Sequence, residues 1–384
     1  MKLKLSIALL SLAATAFSSS ILSAQSTQAA GTWRVVKSPN GGNQAGGNEL
    51  LATVALSTAD TWAVGAKPNA SPSLLTQPLA EHWDGTRWSI VPTPHISAPT
   101  AQLNSMAALN SNEIWAAGYS ENPSCFCGQT LVERWNGISW TRVTSPNPGV
   151  ADYLNGISAV SATDVWAVGY EWPSQSTTIP LLMHYDGKGW STLGQPQFPL
   201  GQLTSVFALA QNDVWAVGFF GPLAATQGIA LHWNGKSWRQ VAFPTESGGG
   251  IVLRSVSGAN TKDLWAVGDY AYYDFNGNLT RSARSYHWNG SNWKAVTVAL
   301  GGYSYLYNVM ARATDDVWAV GAGDLGNFKY AYVTFHWDGS QWSNVPNPNE
   351  GILRAVSASS SSDVWAVGLG FVTRGTHTIH YTVP

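Results

Sequence analysis

The chain has 384 residues, a formal net charge of −2 and only 11% charged residues. Because it carries no excess of lysine and arginine to neutralise phosphates, the composition argues against nucleic acid as a partner. Tryptophan is abundant, with 20 residues, and glycine reaches 38. This composition is typical of a turn-rich, aromatic-rich protein with few helices.

The first residues have the pattern of a secretory signal peptide. Two lysines precede the apolar run Leu5–Phe17, and small residues that suit cleavage after Ala24 or Ala29 follow it. The run is short for a membrane span. We therefore expect residues 1–30 to be a signal peptide. Residues 31–384 are expected to form one secreted, extracellular domain, a monomer that does not insert into membranes.

One hexapeptide recurs along the chain. DVWAVG occurs four times, at Asp164–Gly169, Asp213–Gly218, Asp316–Gly321 and Asp363–Gly368, and near copies begin at Asp60, Glu113 and Asp263. The seven copies lie 47 to 53 residues apart. An L-x-x-[VIM] stretch precedes each copy, starting at Leu51, Leu103, Leu154, Leu203, Leu253, Leu306 and Leu353. H-W-[DN]-G-x-x-W or a close variant follows the first six copies, and Trp172 alone among the tryptophans falls outside this frame.

Each unit predicts four short β-strands, because its apolar runs are separated by turn residues. The Asp-Gly or Asn-Gly pair before the last strand favours a type I′ hairpin. Four antiparallel strands, seven units and a period near 50 indicate an all-β, seven-bladed β-propeller. The last unit lacks its fourth strand, and the segment around Trp33 supplies an unpaired one. We expect this N-terminal strand to complete the last blade and close the ring.

The repeat resembles that of secreted bacterial β-propellers with DxWAVG…HWxGxxW units. More distantly, it is similar to the Asp-box, tectonin and kelch propellers. The resemblance covers essentially the whole chain after the signal peptide and implies the fold. It implies no particular activity, because propellers carry many unrelated functions.

The repeated acids and histidines are interpreted as structural. We expect each Asp of DVWAVG to bind nearby backbone N–H groups. Equivalent histidines would be spread around a ring and could not meet at one ion, and Arg134 replaces one of them. The off-frame residues His95 and His377 are expected to be solvated. Cys125 and Cys127 could form a strained disulfide, remain thiols or make a weak metal site. We expect no metal and no cofactor.

Loop lengths predict a binding face. The turns between the first and second and between the third and fourth strands are short, whereas the other two classes of connection are long and variable, and both of those emerge on one face. Aromatic residues cluster there on blades 5 and 6: Tyr270, Tyr272, Tyr273, Phe275, Tyr303, Tyr305 and Tyr307. They suit a sugar or a protein partner, or they pack on one another. Trp172 in the blade 3 loop is a second candidate.

The mouth of the central channel is a further candidate. The residue after each first-strand leucine should lie there: Ala52, Asn104, Asn155, Thr204, Arg254, Tyr307 and Arg354. Arg254 and Arg354 could bind an anionic or hydroxyl-rich ligand, although channel water would also explain these polar groups.

No catalytic motif is present, so catalytic residues stay unknown and an enzyme is disfavoured. Three hypotheses follow, in order of preference. The chain is a secreted recognition module for a glycan or cell-envelope component, a polysaccharide hydrolase or lyase acting on the same face, or an extracellular protein–protein scaffold.

Overall fold

The computed structural model of the protein describes residues 31–41, 47–68, 76–125, 127–174, 177–194, 198–222, 225–325, 330–371 and 375–383. The predicted signal peptide lies outside these ranges, so secretion stays a prediction. Within them, the strands form seven four-stranded antiparallel sheets. No helix among these residues is long and apolar enough to span a membrane.

Each sheet is one blade of a β-propeller, as predicted. The strands of blades 1 to 7, with the N-terminal strand given last, are: β2 (Glu49–Ser57), β3 (Asp60–Pro68), β4 (Thr76–Trp83), β5 (Trp88–Ile90); β6 (Ala101–Asn110), β7 (Glu113–Glu121), β8 (Gly128–Trp135), β9 (Trp140–Val143); β10 (Ala151–Ser161), β11 (Asp164–Ser174), β12 (Thr177–Tyr185), β13 (Trp190–Thr192); β14 (Gln202–Ala210), β15 (Asp213–Phe220), β16 (Gln227–Trp233), β17 (Trp238–Gln240); β18 (Gly249–Asn260), β19 (Asp263–Tyr273), β20 (Leu279–Trp288), β21 (Trp293–Val296); β22 (Gly301–Ala313), β23 (Asp316–Asp324), β24 (Tyr330–Trp337), β25 (Trp342–Asn344); β26 (Gly351–Ser360), β27 (Asp363–Gly370), β28 (Thr376–Thr382) and β1 (Thr32–Val36).

The N-terminal strand closes the ring. Strand β1 pairs antiparallel with β28, from Thr32 opposite Thr382 to Val36 opposite Thr378, and becomes the outer strand of blade 7. Trp33 is buried there at 7% exposure. The closure expected from the chain ends is therefore confirmed.

The repeated tryptophans hold adjacent blades together. The outer-strand tryptophan of each blade packs edge-on against the second-strand tryptophan of the preceding blade. Trp238 on Trp166 (centroids 5.5 Å apart, planes at 82°) and Trp88 on Trp365 (5.2 Å, 90°) are examples. Edge-to-face contacts of this kind add to the apolar area that each ring buries.

The repeated acids tie the second strand to the third, by contacts that differ from our expectation. Asp164 Oδ1 accepts hydrogen bonds from the Trp166 indole (2.8 Å) and from the ring of His184 (2.8 Å). The prediction of backbone partners was therefore wrong, because the Asp lies in the strand itself rather than in a turn. In blade 2, Glu113 and Arg134 form a bidentate ion pair at the same two positions (2.7 and 2.6 Å).

The hairpins between third and fourth strands are longer than predicted. Trp83 pairs with Trp88, which leaves a loop of four residues, 84 to 87, rather than a two-residue type I′ turn. The Asp84 carboxylate accepts the N–H groups of Thr86 (2.8 Å) and Arg87 (2.9 Å), while Gly85 takes a φ of 92°. The Asp-Gly pair therefore marks an Asx turn followed by one left-handed glycine.

A β-bulge recurs on the innermost strand of every blade, and the glycine of DVWAVG makes room for it. In blade 5, Leu253 pairs with Gly268 and Ser255 pairs with Val267, so Arg254 between them has no partner. A Cβ on Gly268 would collide with the carbonyl oxygen of Val252, which is why only glycine fits. A bulge re-aims the extra side chain.

The bulge of blade 1 shows that the sequence alignment of this blade was wrong by one residue. Leu50 pairs with Gly65, so the residue at the bulge is Leu51, whereas the sequence frame places Ala52 there. Ala52 instead packs in the core between blades 1 and 2. The error arose because two leucines are adjacent and the pattern could not choose between them.

Candidate ligand site at the channel mouth

The topology supports one variable face. The turns between first and second strands have two residues, and those between third and fourth strands have four. The remaining connections, which include the chain between blades, lie together at the opposite ends of the strands. Because the bulges lie near this end of the innermost strands, the bulged side chains are positioned at the channel opening on the variable face.

The channel is lined by the innermost strands of all seven blades and has a volume of about 450 Å³. In blades 2 to 4 the bulged side chains are short and bind the next blade. Asn104 and Asn155 each donate to a leucine carbonyl there (2.8 Å), and Thr204 does the same (2.9 Å). In blades 5 to 7 this position holds Arg254, Tyr307 and Arg354. Among the seven bulge positions, long polar side chains therefore occur only in blades 5 to 7.

The arginines of this side are fixed by carboxylates. Arg254 Nε donates to Asp269 Oδ1 (2.7 Å), and Arg281 Nη1 donates to the other oxygen of Asp269. The Asp269 side chain is fully buried. Arg354 Nε donates to Glu49 Oε1 (2.6 Å) across the blade 7 to blade 1 boundary. These bonds hold the three guanidinium groups in place before any ligand arrives.

Tyr303, Tyr305 and Tyr307 form what we call the tyrosine ledge. Successive rings lie edge-on, with centroids 5.8 and 4.8 Å apart. The Tyr307 ring lies between two guanidinium groups, 4.7 Å from that of Arg354 and 5.8 Å from that of Arg254. Burial raises the pKa of Tyr307 to about 12, so its hydroxyl stays protonated at physiological pH. Tyr303, at the outer end, is 45% exposed.

A depression of about 460 Å³ opens beside the ledge, and we call it the mouth pocket. Its lining combines aromatic rings, amides, a hydroxyl and two guanidinium groups: Asn155, Gln202, Thr204, Phe219, Val252, Arg254, Arg281 and Tyr307. Concave sites with a few fixed polar groups and apolar walls are typical of small-ligand binding.

The other aromatic candidates of blade 5 are divided between core and surface. Tyr270 is buried at 9% exposure, donates its hydroxyl to the Ser247 carbonyl (2.6 Å) and packs against Arg284. Tyr272 stacks on Tyr270 with centroids 5.5 Å apart. Tyr273 and Phe275 are exposed at the loop tip. Tyr270 and Tyr272 therefore brace the loop, and the two tip residues remain accessible.

Blade 3 carries a separate group of residues. Trp172 is 38% exposed and lies on β11, far along the ring from the ledge. Sequence reasoning missed the tyrosines near it: Tyr153 stacks on Tyr170 (4.9 Å, 15°) and contacts Tyr119 of blade 2. Asp152 pairs with Glu171 across the same two strands. Burial raises the pKa of Asp152 to about 6.

The structure also places the two cysteines and the two off-frame histidines. Cys125 and Cys127 are joined by a disulfide in the loop after β7. His377, expected to be solvated, is 6% exposed in β28, so that prediction was wrong, whereas His95 is exposed. Among the residues described, no three His, Cys, Asp or Glu side chains are grouped to hold a metal ion.

No known protein family and no curated protein matches this chain in sequence. Solved structures do match it in fold. YCF48 bound to a D1 peptide superposes with a TM-score of 0.58 at 15% identity, covering 92% of this chain and 97% of that one. YCF48 from Cyanidioschyzon merolae gives 0.56 at 15%, covering 91% and 98%. The GH74 xyloglucanase from Xanthomonas campestris gives 0.56 at 11%, covering 90% of this chain and 55% of that one. These likenesses support the propeller fold.

Proposed function

We propose that this protein is a secreted recognition propeller that binds a glycan of its surroundings at the tyrosine ledge and mouth pocket. The observation that carries the proposal is the asymmetry of the mouth. In blades 2 to 4 the short side chains at the bulges hydrogen-bond to the next blade. In blades 5 to 7, fixed arginines and tyrosines lie beside a pocket. Tyrosine rings offer flat apolar faces and hydroxyls, which match the C–H faces and hydroxyls of sugars.

The secreted setting rests on the N-terminal pattern and on the resemblance to secreted bacterial propellers. A protein partner is the first competitor, and the YCF48 structure with a D1 peptide shows that a propeller of similar fold binds a peptide. We favour a glycan because the pocket walls supply side-chain amides, a hydroxyl and aromatic faces.

A second candidate, a polysaccharide-degrading enzyme, is favoured by one observation on blade 3. Asp152 and Glu171 are directly opposed, and burial raises the pKa of both above the usual range, so one can hold a proton at mildly acidic pH. A pair of carboxyl groups, one protonated, is what glycoside hydrolysis uses. Cleavage of a bound polysaccharide that disappears in Asp152→Asn would favour this activity over binding alone.

The proposal is tested by a glycan array probed with residues 31–384 and with the Tyr303→Ala/Tyr305→Ala variant. We expect specific binding that weakens about tenfold or more in the variant, since each ring contributes about 0.5–1.5 kcal/mol. Trp172→Ala is the matched control, because it removes an exposed aromatic from the same face but from another blade. Binding that survives the double variant, or that only Trp172→Ala abolishes, would move the site away from the ledge.

A further inference from the structure

We infer that the glycan is acidic, and that Arg254 and Arg281 bind a carboxylate that it carries. This inference rests on the proposed function and names the ligand class of the same site.

Charge at the mouth is the first argument. Arg254 and Arg281 share a single carboxylate, Asp269, so this group of three side chains keeps one positive charge in excess. Arg354 is matched one to one by Glu49. Because Asp269 is fully buried behind the two arginines, the excess charge is presented on the pocket side. A ligand carboxylate would balance it, and a neutral sugar would not.

Unused hydrogen-bond donors are the second argument. A guanidinium group has five N–H donors in a planar fork that matches a carboxylate. Arg254 donates one hydrogen bond, from Nε to Asp269, and makes no other within the ranges that the structure describes. Its terminal N–H groups are therefore available, while the Nε bond and the rings of Tyr305 and Tyr307 fix its plane. Such preorganisation lowers the entropic cost of binding.

The rest of the pocket favours a sugar acid over the terminal carboxylate of a peptide. The Gln202 side chain lines the pocket and makes no hydrogen bond within the described part of the chain, so its amide can serve a ring hydroxyl. Phe219 and Tyr307 line the same space, and the Phe219 ring offers a face on which a sugar ring can stack. We find this combination of charge, amide and rings on the blade 4 to blade 6 side of the mouth.

The experiment uses matched ligands. Affinity of residues 31–384 is measured by calorimetry for oligogalacturonate and for the same oligomer after its carboxyl groups are reduced to alcohols. We expect the acidic form to bind about tenfold or more tightly, since charge-assisted bonds are roughly twice as strong as neutral ones. A tripeptide with a free C-terminal carboxylate is the third ligand.

Three variants locate the effect. Arg254→Gln should lose about ten- to a hundredfold in affinity for the acidic oligomer and little for the reduced one. Arg281 still neutralises Asp269 in this variant, which protects folding. Arg281→Gln is an independent second variant, because Arg254 still neutralises Asp269 when Arg281 is replaced. Arg239→Gln, at an exposed position on β17, is the charge-matched control and should change nothing.

The outcomes separate the two proposals. Acid-selective binding that both mouth variants weaken supports the inference. Equal binding of both oligomers, weakened by Tyr303→Ala/Tyr305→Ala, overturns the acidic ligand but keeps glycan recognition. Binding of the tripeptide alone, or of none of the three, overturns the inference, and the glycan array decides the proposed function separately.

Discussion

Replacing Glu133 with methionine is expected to stabilise this protein strongly at pH 8 and only weakly at pH 5. Glu133 is fully buried on β8, and neither carboxyl oxygen has a hydrogen-bond partner. The same position in blade 3 holds Met183, also fully buried. Methionine therefore fits the frame of the blade and removes an unpaired polar group from the core.

The pH dependence follows from the direction of the pKa shift. Burial raises the pKa of Glu133 from 4.5 to about 8, and Arg142 on the adjacent strand offsets only part of this. The folded state therefore keeps a proton that the unfolded chain loses, so the free energy of unfolding falls as pH rises from 4.5 to about 8. The expected slope is about 1.4 kcal/mol per pH unit.

Glu81 of blade 1 should add to this fall in the free energy of unfolding at higher pH. It is fully buried at the equivalent position of β4, and burial raises its pKa well above the usual range, with the Thr376 hydroxyl lowering it by less. Denaturant unfolding of wild type, Glu133→Met and the control Glu121→Gln at pH 5 and pH 8 measures the effect. A wild type equally stable at both values, or a methionine variant that loses stability at pH 8, would contradict the account.

Truncating Trp33 to alanine is expected to cost about 3–5 kcal/mol, because a large buried ring is lost from the strand that closes the propeller. Trp33 packs edge-on against Trp318 of blade 6 (5.5 Å) and at a tilt of 55° against Tyr381 of β28 (5.5 Å). Its loss weakens both the outer edge of blade 7 and the boundary with blade 6.

Thermal unfolding, with protease digestion of the native protein alongside, measures the effect. Val35→Ala is the matched control, since Val35 lies two residues along the same strand and is 42% exposed, and it should change the free energy of unfolding by about 0.5 kcal/mol or less. If Trp33→Ala and Val35→Ala have the same free energy of unfolding, Trp33 does not stabilise the closure of the ring.

The fold could be predicted because every unit repeats the same pattern. Seven copies of one motif fixed the number of blades, and the orphan strand at Trp33 fixed how the ring closes. The pairing of Glu113 with Arg134 could also have been foreseen, since both depart from the repeat in the same unit. Aligning the seven units would likewise have shown Glu81 and Glu133 at positions that are apolar elsewhere.

The candidate site was predictable only in part, because it depends on contacts between blades. Arg254 and Arg354 were identified from their place after a leucine, but nothing local to Asp269 shows that it would be buried between Arg254 and Arg281. Tyr270 and Tyr273 are close in sequence, yet one is buried and one exposed. Burial falls off towards the end of β19, from Tyr270 and Ala271, which are buried, to Tyr273, which is exposed, so the distance from the blade core rather than composition decides this difference.

Hydrogen–deuterium exchange with and without the tightest-binding oligosaccharide of the array tests the central claim most directly, namely that a ligand binds at the mouth beside blades 5 to 7. We predict slower exchange in residues 249–254, 268–273 and 301–308, and unchanged exchange in the turns of the opposite face, such as 84–87 and 289–292. Protection confined to the opposite face or to the outer strands would contradict the account.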